Sequence, residues 1–99
     1  MDGIEYFRQA GSRNPSPYAR GSNGKNACPC CRYFTLYECH RYEICPVCFW
    51  EDDGAVKDED YGGPNHKTLG EGRETYKRIG ACDIPRLQHC RPPHEDEKR

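Results

Sequence analysis

Two C-P-x-C turns, Cys28–Cys31 in CPCC and Cys45–Cys48 in CPVC, constrain this chain more than any other feature. A turn of this kind brings its two sulfurs to one side of the backbone. Two such turns supply the four thiolates of the tetrahedron that structural zinc prefers. Cys28, Cys31, Cys45 and Cys48 are therefore the expected ligands of one structural Zn²⁺. Iron in the same four thiolates is the minor variant, and disulfides are the other use of so many cysteines.

The size of the chain explains why a metal would matter. It has 99 residues, 34% hydrophobic and 31% charged, with 10 Gly and 8 Pro, which is material for one small domain with polar ends. The candidate core lies between Tyr33 and Ile79, a span in which a hydrophobic core alone rarely suffices. Closing a four-thiolate site contributes on the order of 10 to 16 kcal/mol in zinc-finger peptides, and most of that is folding energy. The metal-free chain is expected to be unfolded. The N-terminus MDGIEYFRQAGSRNPSPY shows no apolar run of the signal-peptide kind and no stretch is long enough for a membrane span, so the expected compartment is the reducing cytoplasm.

Composition divides the chain into three. Residues 1–26, rich in Gly, Ser, Asn and Pro, read as a flexible arm whose candidate for docking is a short apolar patch at Ile4, Tyr6 and Phe7. Residues 27–82 hold the knuckles and most aromatics, and residues 83–99 run through Pro85, Pro92 and Pro93 into a charged tail. Within the domain, Tyr33–Tyr37 and Tyr42–Ile44 read as strands of a hairpin turning at Glu38–Arg41, with Phe49 and Trp50 continuing as a third strand. Thr68 and Glu71 form a T-x-x-E capping box ahead of a stripe of Leu69, Tyr76 and Ile79 that ends at Gly80. The expected fold is a small α+β metal-stabilised domain: a zinc-ribbon-like hairpin or three-stranded sheet with one C-terminal helix.

The segments CPCCRYFTL, YEICPVCFWEDDG and YGGPNHKTLGEGRETYKRIGAC, covering roughly residues 27–82, resemble the cysteine-rich CPCC family of small bacterial proteins. The resemblance implies a metal-binding domain and no particular biochemical activity. Arg32 departs from the glycine usual after a knuckle's second cysteine, and Gly70 and Gly72 stand where helix formers are expected.

The other candidate residues carry less. Cys30 lies between two ligands, so its thiol is turned away from the metal, where it is either packed or reactive. Cys39 with His40 could replace one knuckle ligand or start a second site with Cys82, His89, Cys90 or His94, but these residues lack the paired spacing of the first site. Glu51, Asp52, Asp53, Asp58, Glu59 and Asp60 fit no calcium-loop register and read as a solvated loop or as an acidic docking face for a basic partner. YGGPNHKTL reads as a turn and helix cap, with anion binding at Lys67 as the alternative. No phosphate-binding, serine-nucleophile or zinc-protease motif is present.

Two functions follow from these residues. The first is a zinc-stabilised protein-interaction module, of regulator, adaptor or inhibitor type, docking a protein partner through the loop from Glu51 to Asp60. The second is a nucleic-acid-binding zinc ribbon, stacking bases on Tyr33, Phe34, Tyr37 and Tyr42 and meeting phosphates with Arg8, Arg13, Arg20, Lys25, Arg32 and Arg41. The net charge of −1 and the dense acidic loop disfavour the second. An enzyme or a rubredoxin-like iron electron carrier ranks lower, and the oligomeric state is not legible.

Overall fold

The protein is described here by a computed structural model that covers residues 19–99. Ile4, Tyr6 and Phe7 of the expected arm lie outside the described residues. The last residues of that arm join the domain: Ala27 N–H donates to Ala19 O, and Asn26 is buried.

Strand β1 (Asn26–Ala27) pairs antiparallel with β2 (Phe34–Leu36), so the two flank the first knuckle. The second knuckle is closed in the same manner. Ile44 bridges Glu51, Cys45 N–H donates to Trp50 O, and the Glu43 carbonyl accepts from Asp52 N–H. The expected hairpin of Tyr33–Tyr37 with Tyr42–Ile44 is therefore not formed, nor is a third strand at Phe49–Trp50. A C-P-x-C turn reverses the chain within four residues, so each knuckle pairs its own flanks before those flanks can meet one another. The intervening segment is a loop, with His40 and Tyr42 in the left-handed region. The Glu43 carboxylate holds it by accepting from Tyr37 N–H and Glu38 N–H, and the Asp52 carboxylate accepts from His40 N–H.

A second antiparallel pair, β3 (Tyr61–Gly62) with β4 (Lys67–Thr68), delivers the chain to helix α1 (Leu69–Ile79). The capping box is as expected. Thr68 Oγ1 accepts from Glu71 N–H at 3.1 Å, and Glu71 Oε1 accepts from Thr68 N–H at 2.8 Å. Gly80 ends the helix at φ 85°.

Glycines that weaken α1 as a helix serve its packing. Trp50, fully buried, lies between Gly62 and Gly72, where a Cβ would stand 2.8 Å from Cζ2 and 2.9 Å from Cζ3 of the indole ring. The core is otherwise Leu36, Val47, Ala55 and Leu69 around the sulfurs of Cys28, Cys30, Cys31, Cys45, Cys48 and Cys82.

The C-terminal segment, expected as a tail, is built onto this core. Cys82 N–H donates to Cys48 O, and two 3₁₀ helices follow at Ile84–His89 and Glu95–Glu97. Arg86 donates to Asn65 Oδ1, Phe49 O and Pro64 O, while Asn65 exchanges hydrogen bonds with the Glu51 backbone. Glu97 is buried and takes both arms of Arg91 at 2.8 Å. Charge density read from composition alone misses such pairs, because a paired carboxylate can be buried where a lone one cannot.

The Arg91 guanidinium hydrogen-bonded to Glu97 lowers the carboxyl from 4.5 to about 2. A depressed carboxyl stabilises the docked segment above the unfolded value and loses that effect as pH falls from 4.5 towards 2. Because acid also protonates thiolates, Glu97→Gln at neutral pH isolates the pair. We predict that it weakens docking by about 1 to 3 kcal/mol, read as faster amide exchange at Ser22, whose N–H donates to Arg99 O, with metal content unchanged. Unaltered exchange would mean that the ion pair does not hold the segment.

Candidate metal centre

The knuckles place Cys28, Cys31, Cys45 and Cys48, all buried, with their Sγ atoms within 4.8 Å of one another. Cys28 and Cys48 are 3.6 Å apart and Cys31 and Cys45 are 3.7 Å apart. Four sulfurs at about 2.3 Å from a tetrahedral ion are spaced by about 3.8 Å, so one ion of that size fits the cluster. The four residues singled out by spacing are the ones brought together. Among the described residues no other group of three or more metal-type side chains converges.

The two knuckles share one backbone device. The residue after each second cysteine, Arg32 at φ 72° and Phe49 at φ 68°, is left-handed, and its N–H donates to the carbonyl of the knuckle's first cysteine at 2.8 Å. Neither is glycine, so each costs about 1 to 2 kcal/mol of backbone strain. Phe49 is compensated by stacking on His89, with ring centroids 4.9 Å apart.

Electrostatics opposes full ionisation of the cluster without a cation. Burial pushes the thiols of Cys28 and Cys48 well up. The Cys45 thiol is held far down, first by a hydrogen bond from Cys28, then by Cys31 and Cys48, with a smaller contribution from Thr35. Four thiols in one dry site cannot all ionise beside one another, and a divalent ion removes the conflict by neutralising the thiolates it binds. The set can hold a soft or borderline metal ion, and its four protein sulfurs leave no coordination position open.

The remaining candidates have structural partners. Cys30 is packed, its Sγ 3.4 Å from where a Cβ on Gly72 would stand. Burial raises the Cys82 thiol to about 11. Cys90 donates to Arg86 O, and Cys39 is half-buried. Lys67 donates to Cys82 O and pairs with Asp83, so its ammonium is committed within the fold rather than offered to an anion.

The acidic run is also largely engaged. Asp52 is buried, Asp53 accepts from Ala55 N–H, and Asp60 accepts from Val56 and Lys57 N–H groups, which lower its carboxyl pKa, with the Lys57 bond contributing most. Asp58 pairs with Arg73 at 2.6 Å. Asp52 is thus corrected from a surface carboxylate to a core acceptor that fixes the loop before the second knuckle.

The Cysteine-rich CPCC family model matches residues 26–97. The chain belongs to the cysteine-rich CPCC family. Neither a curated protein nor a solved structure matches it. The CPCC match begins at Asn26, where β1 begins, and runs past residue 82, where composition ends the domain, to Glu97 at the buried ion pair. Sequence reading missed Arg86, Arg91 and Glu97. The available signal was H-x-x-E at His94–Glu97, a capping box hidden inside a charged run.

Loss of a ligand should separate metal binding from ordinary cysteine packing. We predict that Cys48→Ser yields protein without stoichiometric metal and with collapsed amide dispersion, whereas Cys90→Ser keeps both. Metal analysis and amide NMR check it. A dispersed spectrum for the Cys48 variant would show a core that folds without a complete site.

Proposed function

We propose that this CPCC protein is a zinc-stabilised protein-interaction module in which the metal holds the fold and the surface between the knuckles does the binding. The observation that carries this reading is the closed, buried four-sulfur site beside an exposed aromatic loop. A tetrahedral S₄ donor set suits zinc, and a centre with no open position has a structural role rather than that of a hydrolytic metal.

The loop between the knuckles presents Tyr37 at 71% exposure, Tyr42 at 61% and Ile44 at 43%. In a domain so short of apolar residues, leaving these outside is a specific loss unless a partner covers them. The loop lies against the start of the acidic run through His40 N–H to Asp52 and Tyr42 N–H to Asp52 O. The aromatic anchors of this loop, with the exposed Glu59 of the acidic run, suit a basic protein partner, with aromatics supplying affinity and carboxylates the association rate.

One observation favours the nucleic-acid reading. Lys25 Nζ sits 4.6 Å from the centroid of the exposed Tyr37 ring, and Arg41 is exposed on the same loop, a stacking surface with adjacent cations. The net charge of −1 weighs against it.

Capture from lysate with wild-type protein and with a Tyr37→Ala/Tyr42→Ala variant, each with and without nuclease, tests the two readings. We predict a stoichiometric protein partner that survives nuclease and is bound about 10-fold or more weakly by the variant, whose zinc content is unchanged. Material that disappears with nuclease supports nucleic acid instead.

A further inference from the structure

The four sulfurs of the centre are not equivalent. Cys28 and Cys48 are fully buried and so is Cys45, whereas Cys31 keeps 7% of its surface. With Cys30 it lines a groove of about 900 Å³ between the first knuckle and α1. Hydrogen bonds from outside the cluster fall on Cys45, from Thr35 Oγ1 at 3.1 Å and Val47 N–H at 3.4 Å. Among the described residues the hydrogen-bond contact of Cys31 Sγ is with Cys45 Sγ alone. A thiolate that accepts hydrogen bonds has less electron density to donate, so Cys31, the least buried of the four, is a stronger nucleophile than Cys45, while Cys28 and Cys48 are closed off by complete burial.

The groove has a sign. Its walls carry Arg32, Arg73 and Lys77 against Asp58 and Glu74. Arg73 pairs with Asp58 and Lys77 with Glu74, while Arg32 is exposed and makes no ion pair among the described residues. The knuckle holds Arg32 in a conformation that glycine would adopt without strain, immediately after the sulfur that lines the groove.

We propose that Cys31 is the modification site of the metal centre, its thiolate attacking a small anionic disulfide that Arg32 draws into this groove. The inference rests on the zinc reading above. In the step, Cys31 Sγ attacks one sulfur of the disulfide, a new S–S bond forms and the disulfide's own S–S bond breaks. The electron pair leaves on the second sulfur as a thiolate, which takes its proton from solvent. The Cys31 sulfur is oxidised, the departing half is reduced, and the centre is left with three thiolates and a weakened hold on its ion.

The test uses the wild-type, zinc-loaded chain treated with oxidised glutathione or with uncharged bis(2-hydroxyethyl) disulfide. Fragment-ion mapping reads which ligand cysteine is modified first, and a chromogenic chelator reads zinc release. The expected result is a mixed disulfide at Cys31 ahead of Cys28, Cys45 and Cys48, with zinc release in step. Arg32→Gln should slow the anionic reagent about five-fold at low ionic strength and leave the uncharged one unchanged. First modification at another ligand, or equal slowing of both reagents, overturns the proposal. Protein that purifies without zinc overturns the metal reading and this inference with it.

Discussion

Four cysteine sulfurs drawn into one dry tetrahedral space are the contact on which the rest of the molecule depends. Each knuckle supplies two of them from a backbone turn closed by its own N–H to carbonyl bond at Arg32 or Phe49, and each tolerates a strained residue to do so. Burial opposes thiolate formation at Cys28 and Cys48. The four can therefore become thiolates together only where a cation supplies the compensating charge, and in the proposed zinc-bound state metal binding and folding are one event.

Everything else is attached to that event through a short list of contacts. Trp50, two residues beyond the second knuckle, carries the packing to α1 and β3 because Gly72 and Gly62 let the indole approach their backbones. Cys82 N–H on Cys48 O and Arg86 on Asn65 and Phe49 O carry it to the C-terminal segment, which Arg91 and Glu97 then clamp. These links radiate from the second knuckle, whereas the first knuckle faces the groove that Cys31 lines.

The four-cysteine cluster was legible because C-P-x-C fixes sulfur geometry within four residues, and α1 was legible because its capping box and its Gly80 stop are local. The strand pairing was not. Alternation and β-branching mark Tyr33–Tyr37 as extended but carry no information on its partner, and the pairing across each knuckle follows from turn closure instead. Burial of Asp52 and Glu97 was equally hidden, since each depends on a donor that folding brings near: His40 N–H for one, the Arg91 guanidinium for the other. The glycines of α1 read as defects because a propensity scale has no term for an indole pressed against Gly72 or for Asp58 packed against Gly70.

A folded domain whose apolar side chains are spent on enclosing sulfur has little left with which to hide Tyr37 and Tyr42, and this links the metal site to the proposed binding surface. The central claim is that the ion, not the aromatic core, sustains the fold. Stripping the full chain with a chelator at neutral pH under reducing conditions, while recording amide dispersion, tests it most directly. The account predicts collapse of the spectrum and full recovery on addition of one equivalent of zinc per chain. A dispersed spectrum from protein shown to contain no metal would contradict it.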